Sequence, residues 1–65
     1  MQRRIIAALA ESPRMLTAVE VIGRAVNRRK PSWSQMCSGR RALKRLEETG
    51  EIACLRLGGR LRYSR

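Results

Sequence analysis

Residues 41–52, Arg41-Ala42-Leu43-Lys44-Arg45-Leu46-Glu47-Glu48-Thr49-Gly50-Glu51-Ile52, hold the passage in which the chain changes its period. Up to Thr49 the inward residues recur at helical spacing, with Met36, Gly39, Leu43 and Leu46 on one stripe. Gly50 stands where such a helix ends, because the residue just past the last turn often takes a left-handed conformation open to glycine. Beyond it the period drops from about 3.6 to about 2. Ile52 to Leu57 and Leu61 to Ser64 flank Gly58-Gly59, the pattern of a β-hairpin.

Two registers fit the hairpin. A two-residue Gly58-Gly59 turn pairs Arg56 with Leu61 and Leu55 with Arg62, mixing charged and apolar residues on both faces. A three-residue turn, Gly58-Gly59-Arg60, pairs Leu57 with Leu61 and Leu55 with Tyr63 on one face and leaves Arg56 and Arg62 on the other. A slip of one residue exchanges the faces, so the cleaner segregation favours the three-residue turn. That register puts Ile52 and Cys54 out of phase with Leu55 and Leu57 unless a bulge or twist intervenes.

Moving toward the N-terminus, Ser32-Trp33-Ser34-Gln35 has the form of a capping box that opens the third helix, with Ser34 and Ser38 as later possible starts. Asn27-Arg28-Arg29-Lys30-Pro31 before it is polar, basic and closed by a proline that pushes Lys30 out of helical conformation, which predicts a loop. A second capping box, Thr17-Ala18-Val19-Glu20, opens the second helix. Val19, Ile22, Ala25 and Val26 then carry a helical period to about Arg28. Arg14 to Leu16 is a short extended piece, and Gln2 to Glu11 is a first helix with Ile5, Ile6 and Leu9 turned inward and Ser12-Pro13 closing it. The expected fold class is α+β, mainly α, in the order helix, short strand, helix, helix, hairpin.

All 65 residues belong to one domain in this reading, without repeat, low-complexity tract or linker. A chain of this length buries roughly 60% of the surface its unfolded form exposes, so the core is thin. Its 43% hydrophobic content, spread along the whole length, argues against disorder. The N-terminus has basic residues followed by an apolar run, but Ile5 to Ala10 is only six residues long and ends at Glu11. That is shorter than the ~7–15 residues of a signal-peptide core and far short of the ~20 that span a bilayer. A core helix and a cytoplasmic, nucleoid-associated location follow. Cys37 and Cys54 are expected as free thiols, since small disulfide scaffolds carry more bridges per residue.

Missing residue types exclude several chemistries. The chain has no His and no Asp and only two Cys, so a four-ligand zinc site, an Asp-rich calcium loop and a His-based triad are all out of reach. Glycines 23, 39, 50, 58 and 59 match neither a dinucleotide fingerprint nor a phosphate loop. No enzyme activity, cofactor, metal or small-molecule ligand is expected. Glu20 and Glu51 are accounted for by capping and solvation rather than acid/base work.

The element order, and the residues that carry it, resemble the winged helix-turn-helix domain. Leu43-Lys44-Arg45-Leu46-Glu47-Glu48-Thr49-Gly50-Glu51-Ile52 is similar to the end of the recognition helix and entry to the wing in small bacterial regulators of the ArsR and MarR families, which carry Leu-x-x-Leu-Glu-x-x-Gly-x-Ile. Gly59-Arg60-Leu61-Arg62-Tyr63 resembles their wing, a glycine turn followed by arginines and a core tyrosine. The resemblance spans essentially the whole chain and implies a DNA-binding core. It departs from the pattern in a longer connection before the third helix, in Gly39 within that helix, and in lacking an added dimerisation helix or cysteine-pair metal sensor. The families' ligand sensing and dimer mode are therefore not implied.

Charge distribution gives an independent reading. Fifteen Lys and Arg against five Glu leave a net charge of +10, which calls for an anionic partner. On a wheel of about 100° per residue, the third helix turns Ser34, Cys37, Ser38, Arg41, Lys44, Arg45 and Glu48 away from its apolar stripe. Short polar residues near its start and cations further along suit a helix in the major groove of double-stranded DNA, with Arg41 and Arg45 on bases or phosphates, Lys44 beside them, and Ser34, Gln35 and Ser38 making smaller contacts. Arg56, Arg60 and Arg62 of the hairpin are expected to reach phosphates or the minor groove. Arg28, Arg29 and Lys30 are expected at phosphates, while Arg3, Arg4, Arg14 and Arg24 are ordinary surface charge. Trp33 is expected to cap the core between the second and third helices, stacking on sugar or base being the functional alternative, and Tyr63 is expected in the core.

The leading expectation is a small DNA-binding protein, a transcriptional regulator or a plasmid- or phage-associated accessory factor, acting alone or as a weak homodimer. A protein-interaction or RNA-binding module without sequence-specific DNA readout is the alternative. A membrane-surface role ranks below both, because the apolar residues of the first helix are needed for the core.

Overall fold

Thr17 and Ser32 each begin a helix in the computed structural model, which describes residues 1–65. Each does so through a reciprocal capping box. The Glu20 amide donates to Thr17 Oγ1 at 3.4 Å and the Thr17 amide to Glu20 Oε1 at 3.1 Å. The Gln35 amide donates to Ser32 Oγ at 3.2 Å and the Ser32 amide to Gln35 Oε1 at 2.8 Å. These caps satisfy amides that the helix itself leaves unpaired. The elements are α1 (Gln2–Glu11), β1 (Leu16–Thr17), α2 (Ala18–Val26), α3 (Trp33–Glu48), β2 (Ala53–Leu57) and β3 (Arg60–Ser64), a mainly helical α+β arrangement.

Helix ends are equally local. Asn27 adopts φ 57°, and the Arg28 amide then donates to Gly23 O at 2.9 Å, so α2 stops at Val26 rather than at the expected Arg28. Asparagine tolerates the left-handed region better than most residues, which is why the helix turns out here. Gly50, with φ 79°, does the same after α3, and the Glu51 amide donates to Leu46 O at 3.0 Å. Of the possible starts for α3, Ser32 is the one used.

One core of twelve residues lies between the helices and the sheet: Ile5, Ala8 and Leu9 of α1, Leu16 of β1, Val21, Ile22 and Ala25 of α2, Ala42, Leu43 and Leu46 of α3, then Ile52 and Tyr63. Met36 packs against its edge, consistent with the stripe read from the sequence. The inward face of α2 differs from expectation. Ala18, Val21, Ile22 and Ala25 form it, at the i, i+3, i+4, i+7 spacing of a helix face, and Val19 and Val26 flank it, Val19 exposed and Val26 half-buried. Gly39 brings α3 onto α2: a Cβ there would lie 2.5–2.9 Å from three side-chain carbons of Ile22.

The three strands form an antiparallel sheet in the order β1-β3-β2. Leu16 pairs with Tyr63 and Thr17 with Arg62, so the short piece after α1 is tied to the last strand. The hairpin takes the two-residue turn, pairing Leu57 with Arg60, Arg56 with Leu61, Leu55 with Arg62 and Cys54 with Tyr63. This corrects the three-residue reading. Gly58 and Gly59 both have positive φ, 60° and 78°, as a type I′ turn requires, and that turn matches the twist of the two strands better than a longer loop. Core burial is satisfied as well. Cys54 and Tyr63 share the face that meets the core, and Ile52 is buried without any bulge. The cost falls on Leu55 and Leu57, which share the opposite face and stay about half exposed.

Candidate functional site

α3 presents two unlike sides. Gly39, Ala42, Leu43 and Leu46 are buried, whereas Ser34, Ser38, Arg41, Lys44 and Arg45 are all exposed. Arg41, Lys44 and Arg45 come together with Glu48 and Thr49 around one depression that contains no apolar residue. Glu48 thus lies among the cations rather than apart from them, yet it forms no ion pair there. The single ion pair of the chain joins Arg14 to Glu20 at 3.7 Å, on neither α3 nor β2. Gln35 is half-buried, and its Oε1 is engaged by the Ser32 amide, which leaves only its side-chain NH₂ free to face outward.

In the loop before α3, Arg28, Arg29 and Lys30 are exposed. The left-handed turn at Asn27 and the capping box at Ser32 hold this loop at both ends. On the hairpin the observed register separates residues that were expected together. Arg60 and Arg62 share the face of Leu55 and Leu57, while Arg56 lies on the other face opposite Leu61. Arg56 and Arg60 are exposed and Arg62 is half-buried.

One cation, Arg40, escaped the sequence reading. Arg40 joins Arg60 and Arg62 around a groove of ≈ 660 Å³ that runs between α3, the start of α2 and β3, floored by Thr17, Ala18, Leu61 and Tyr63. Its position on the flank of α3, about 40° around the helix from Met36, was legible. That β3 and the start of α2 would line one groove with it was not. Glu20 supplies the groove's one carboxylate. Hydrogen bonds from the Thr17 backbone and hydroxyl hold the Glu20 carboxyl below its ordinary value of 4.5; desolvation opposes them, and the charges of Arg14 and Arg62 add smaller effects in the lowering direction. Arg40, Arg60 and Arg62 all lack an ion-pair partner within the protein.

Trp33 corrects the sequence reading most sharply. Its side chain is 83% exposed and caps no part of the core. Trp33 is the first residue of α3, about 120° around the helix from the inward stripe, so the cap that fixes the helix start also turns the indole to solvent. Tyr63 is in the core as expected. Burial raises the pKa of its hydroxyl, with Cys54 adding to the effect, and burial likewise raises that of the Cys54 thiol. A thiol held protonated in this way is a poor nucleophile. Cys37 and Cys54 are not bonded to each other, and no three Cys or Glu side chains converge as metal ligands would. No helix is long and apolar enough to cross a membrane.

No family model, curated protein or solved structure matches this chain.

Proposed function

We propose that this protein is a winged helix-turn-helix domain that binds double-stranded DNA, with α3 in the major groove and the β2–β3 hairpin as its wing. The observation that carries the reading is the outer side of α3, where Arg41, Lys44 and Arg45 are exposed and free of ion pairs while the opposite side is locked into the core. A solvated surface helix ordinarily intersperses charges of both signs in paired positions. Three unpaired cations on one rigid face suit the anionic charge along a duplex and the acceptors of guanine in its major groove. Arg28, Arg29 and Lys30 ahead of the helix and Arg60 at the hairpin serve as phosphate contacts. Arg40, in the groove toward the hairpin, joins them. Transcriptional regulation, or an accessory role on a plasmid or phage genome, is the setting in which such a domain acts.

The longest dimension of the molecule is 25 Å. At about 3.4 Å per base pair that spans roughly seven base pairs, so one copy reads at most a half-site and a weak dimer or cooperative array supplies the rest.

Titrating a random-sequence duplex pool at stepped salt concentrations tests the reading. Affinity is expected to fall by about 0.9 log unit per log unit of salt for each phosphate neutralised. The double variant Arg41→Ala plus Arg45→Ala should lower low-salt affinity at least tenfold, with the melting temperature held within a few degrees. Absence of binding at low salt, or a double variant that binds like the parent, would overturn it. Exposed Leu55 and Leu57 favour protein binding as a second reading. In that case the same double variant leaves the activity of the chain intact.

A further inference from the structure

A tryptophan that is 83% exposed, in a chain with only two aromatic residues, is the most exposed of the large apolar side chains. Its placement is specific. Trp33 is the first residue of α3, and side chains of a helix lean toward its N-terminus, so the indole projects ahead of the helix end. The capping box between Ser32 and Gln35 fixes the first turn, and Pro31 stiffens the chain before it. On the helix wheel Trp33, Cys37, Arg41 and Lys44, with Glu48 at the far end of the helix, occupy one sector of about 80°. The indole therefore shares a side with two of the cations that face outward.

The surroundings select the partner. Arg28, Arg29 and Lys30 lie exposed just before the helix, and none forms an ion pair. A second copy of a +10 chain is repelled from such a patch, whereas an anionic polymer is drawn to it. In an intact duplex the faces of the bases are covered by stacking, and only their edges are presented in the major groove. The one apolar group among those edges is the C5-methyl of thymine.

Resting on the DNA-binding reading above, we infer that Trp33 is a specificity-determining residue that packs its indole against a thymine methyl in the major groove. Arg41 lies eight residues further along α3, about 12 Å along the axis at 1.5 Å per residue. The thymine read by Trp33 is thus separated from the base or phosphate met by Arg41 by no more than roughly three to four base pairs, the limit for a helix aligned with the duplex axis.

The test uses the full chain and one random-sequence duplex pool, enriched for binding and then amplified in two forms, with thymidine or with deoxyuridine throughout. Uracil pairs as thymine does but lacks the methyl. Because Trp33 is the only tryptophan, its emission reports on this one site. The wild-type chain is expected to bind the uracil pool about fourfold more weakly, the equivalent of one buried methyl group. Its emission should shift to the blue on the thymine pool. Trp33→Ala should bind both pools equally, with an unchanged melting temperature, since the indole supports no part of the core. Trp33→Phe should keep part of the thymine preference.

Equal binding of both pools by the wild-type chain, with unaltered emission, overturns the inference and leaves DNA binding standing. Equal binding with strongly quenched emission overturns it in favour of an indole stacked on an unpaired base. An equal loss on uracil in wild type and Trp33→Ala also overturns it, because the methyl then acts elsewhere. Absence of binding to either pool at low salt removes the DNA-binding reading itself.

Discussion

Gly39 shows how one absent side chain sets the distance between two helices. A Cβ there would sit 2.5–2.9 Å from Ile22, which is fully buried and has nowhere to move. Gly39→Ala gains about 1 kcal/mol of helix propensity but meets an overpacking penalty of roughly 1–3 kcal/mol. The expected outcome is a net loss of about 1 kcal/mol, read by thermal or urea unfolding. Adding Ile22→Val, which removes the Cδ1 lying 2.6 Å from the new methyl, should return part of that loss and give a measurable coupling energy. The close approach at Gly39 could be expected from the sequence, because a glycine inside an otherwise good helix needs a reason, although which helix came close could not. Trp33 illustrates the opposite case. A large apolar residue near a core invites burial, but its side chain follows the helix phase, and that phase was undecided until Ser32 was established as the cap.

At the level of elements, the caps were the most legible part of the chain, because each depends on residues three or four apart. Thr17 with Glu20 and Ser32 with Gln35 form as their spacing requires, and Gly50 ends α3 where its left-handed conformation is needed. The hairpin was misread because its register was judged by segregation of charged from apolar residues. The turn prevailed instead, and the sheet keeps Leu55 and Leu57 exposed as a result. Both turn glycines lie in open space, so their φ values alone limit substitution. Gly58→Asn should preserve or slightly raise the melting temperature, since asparagine tolerates φ near 60° and suits the first position of a type I′ turn. Gly58→Val should cost about 1–2 kcal/mol. The groove of Arg40, Arg60 and Arg62 was beyond reach for another reason: it lies where β3 and the start of α2 come up beside Arg40 of α3, a juxtaposition of elements that no local pattern encodes.

For the whole molecule, a net charge of +10 is held together with a single ion pair. Like charges confined within 25 Å repel over distances comparable to the Debye length at moderate salt, so the folded state works against its own charge. Raising sodium chloride from about 20 to about 300 mM should stabilise the fold by roughly 1 kcal/mol, or about 4–8 °C for a domain of this size. Sulfate at equal ionic strength should stabilise more. A melting temperature that is flat or falls with salt would mean that the cations are balanced in ways the geometry does not contain. Duplex DNA should act in the same direction at far lower concentration, because it brings fixed anionic charge to the same surfaces.

The order β1-β3-β2 makes the last strand in sequence the middle strand in space. During synthesis, β1 and β2 leave the ribosome with no strand beside them, because the only strand either one pairs with is β3, Arg60–Ser64. The sheet therefore closes in a step that waits for β3, the strand that joins both neighbours. Tyr63, bonded through its strand to Leu16 on one side and Cys54 on the other, is the latch of that step. The hairpin arginines therefore reach their final positions only once β3 is in place, whereas the cations of α3 lie on a helix that pairs with no strand.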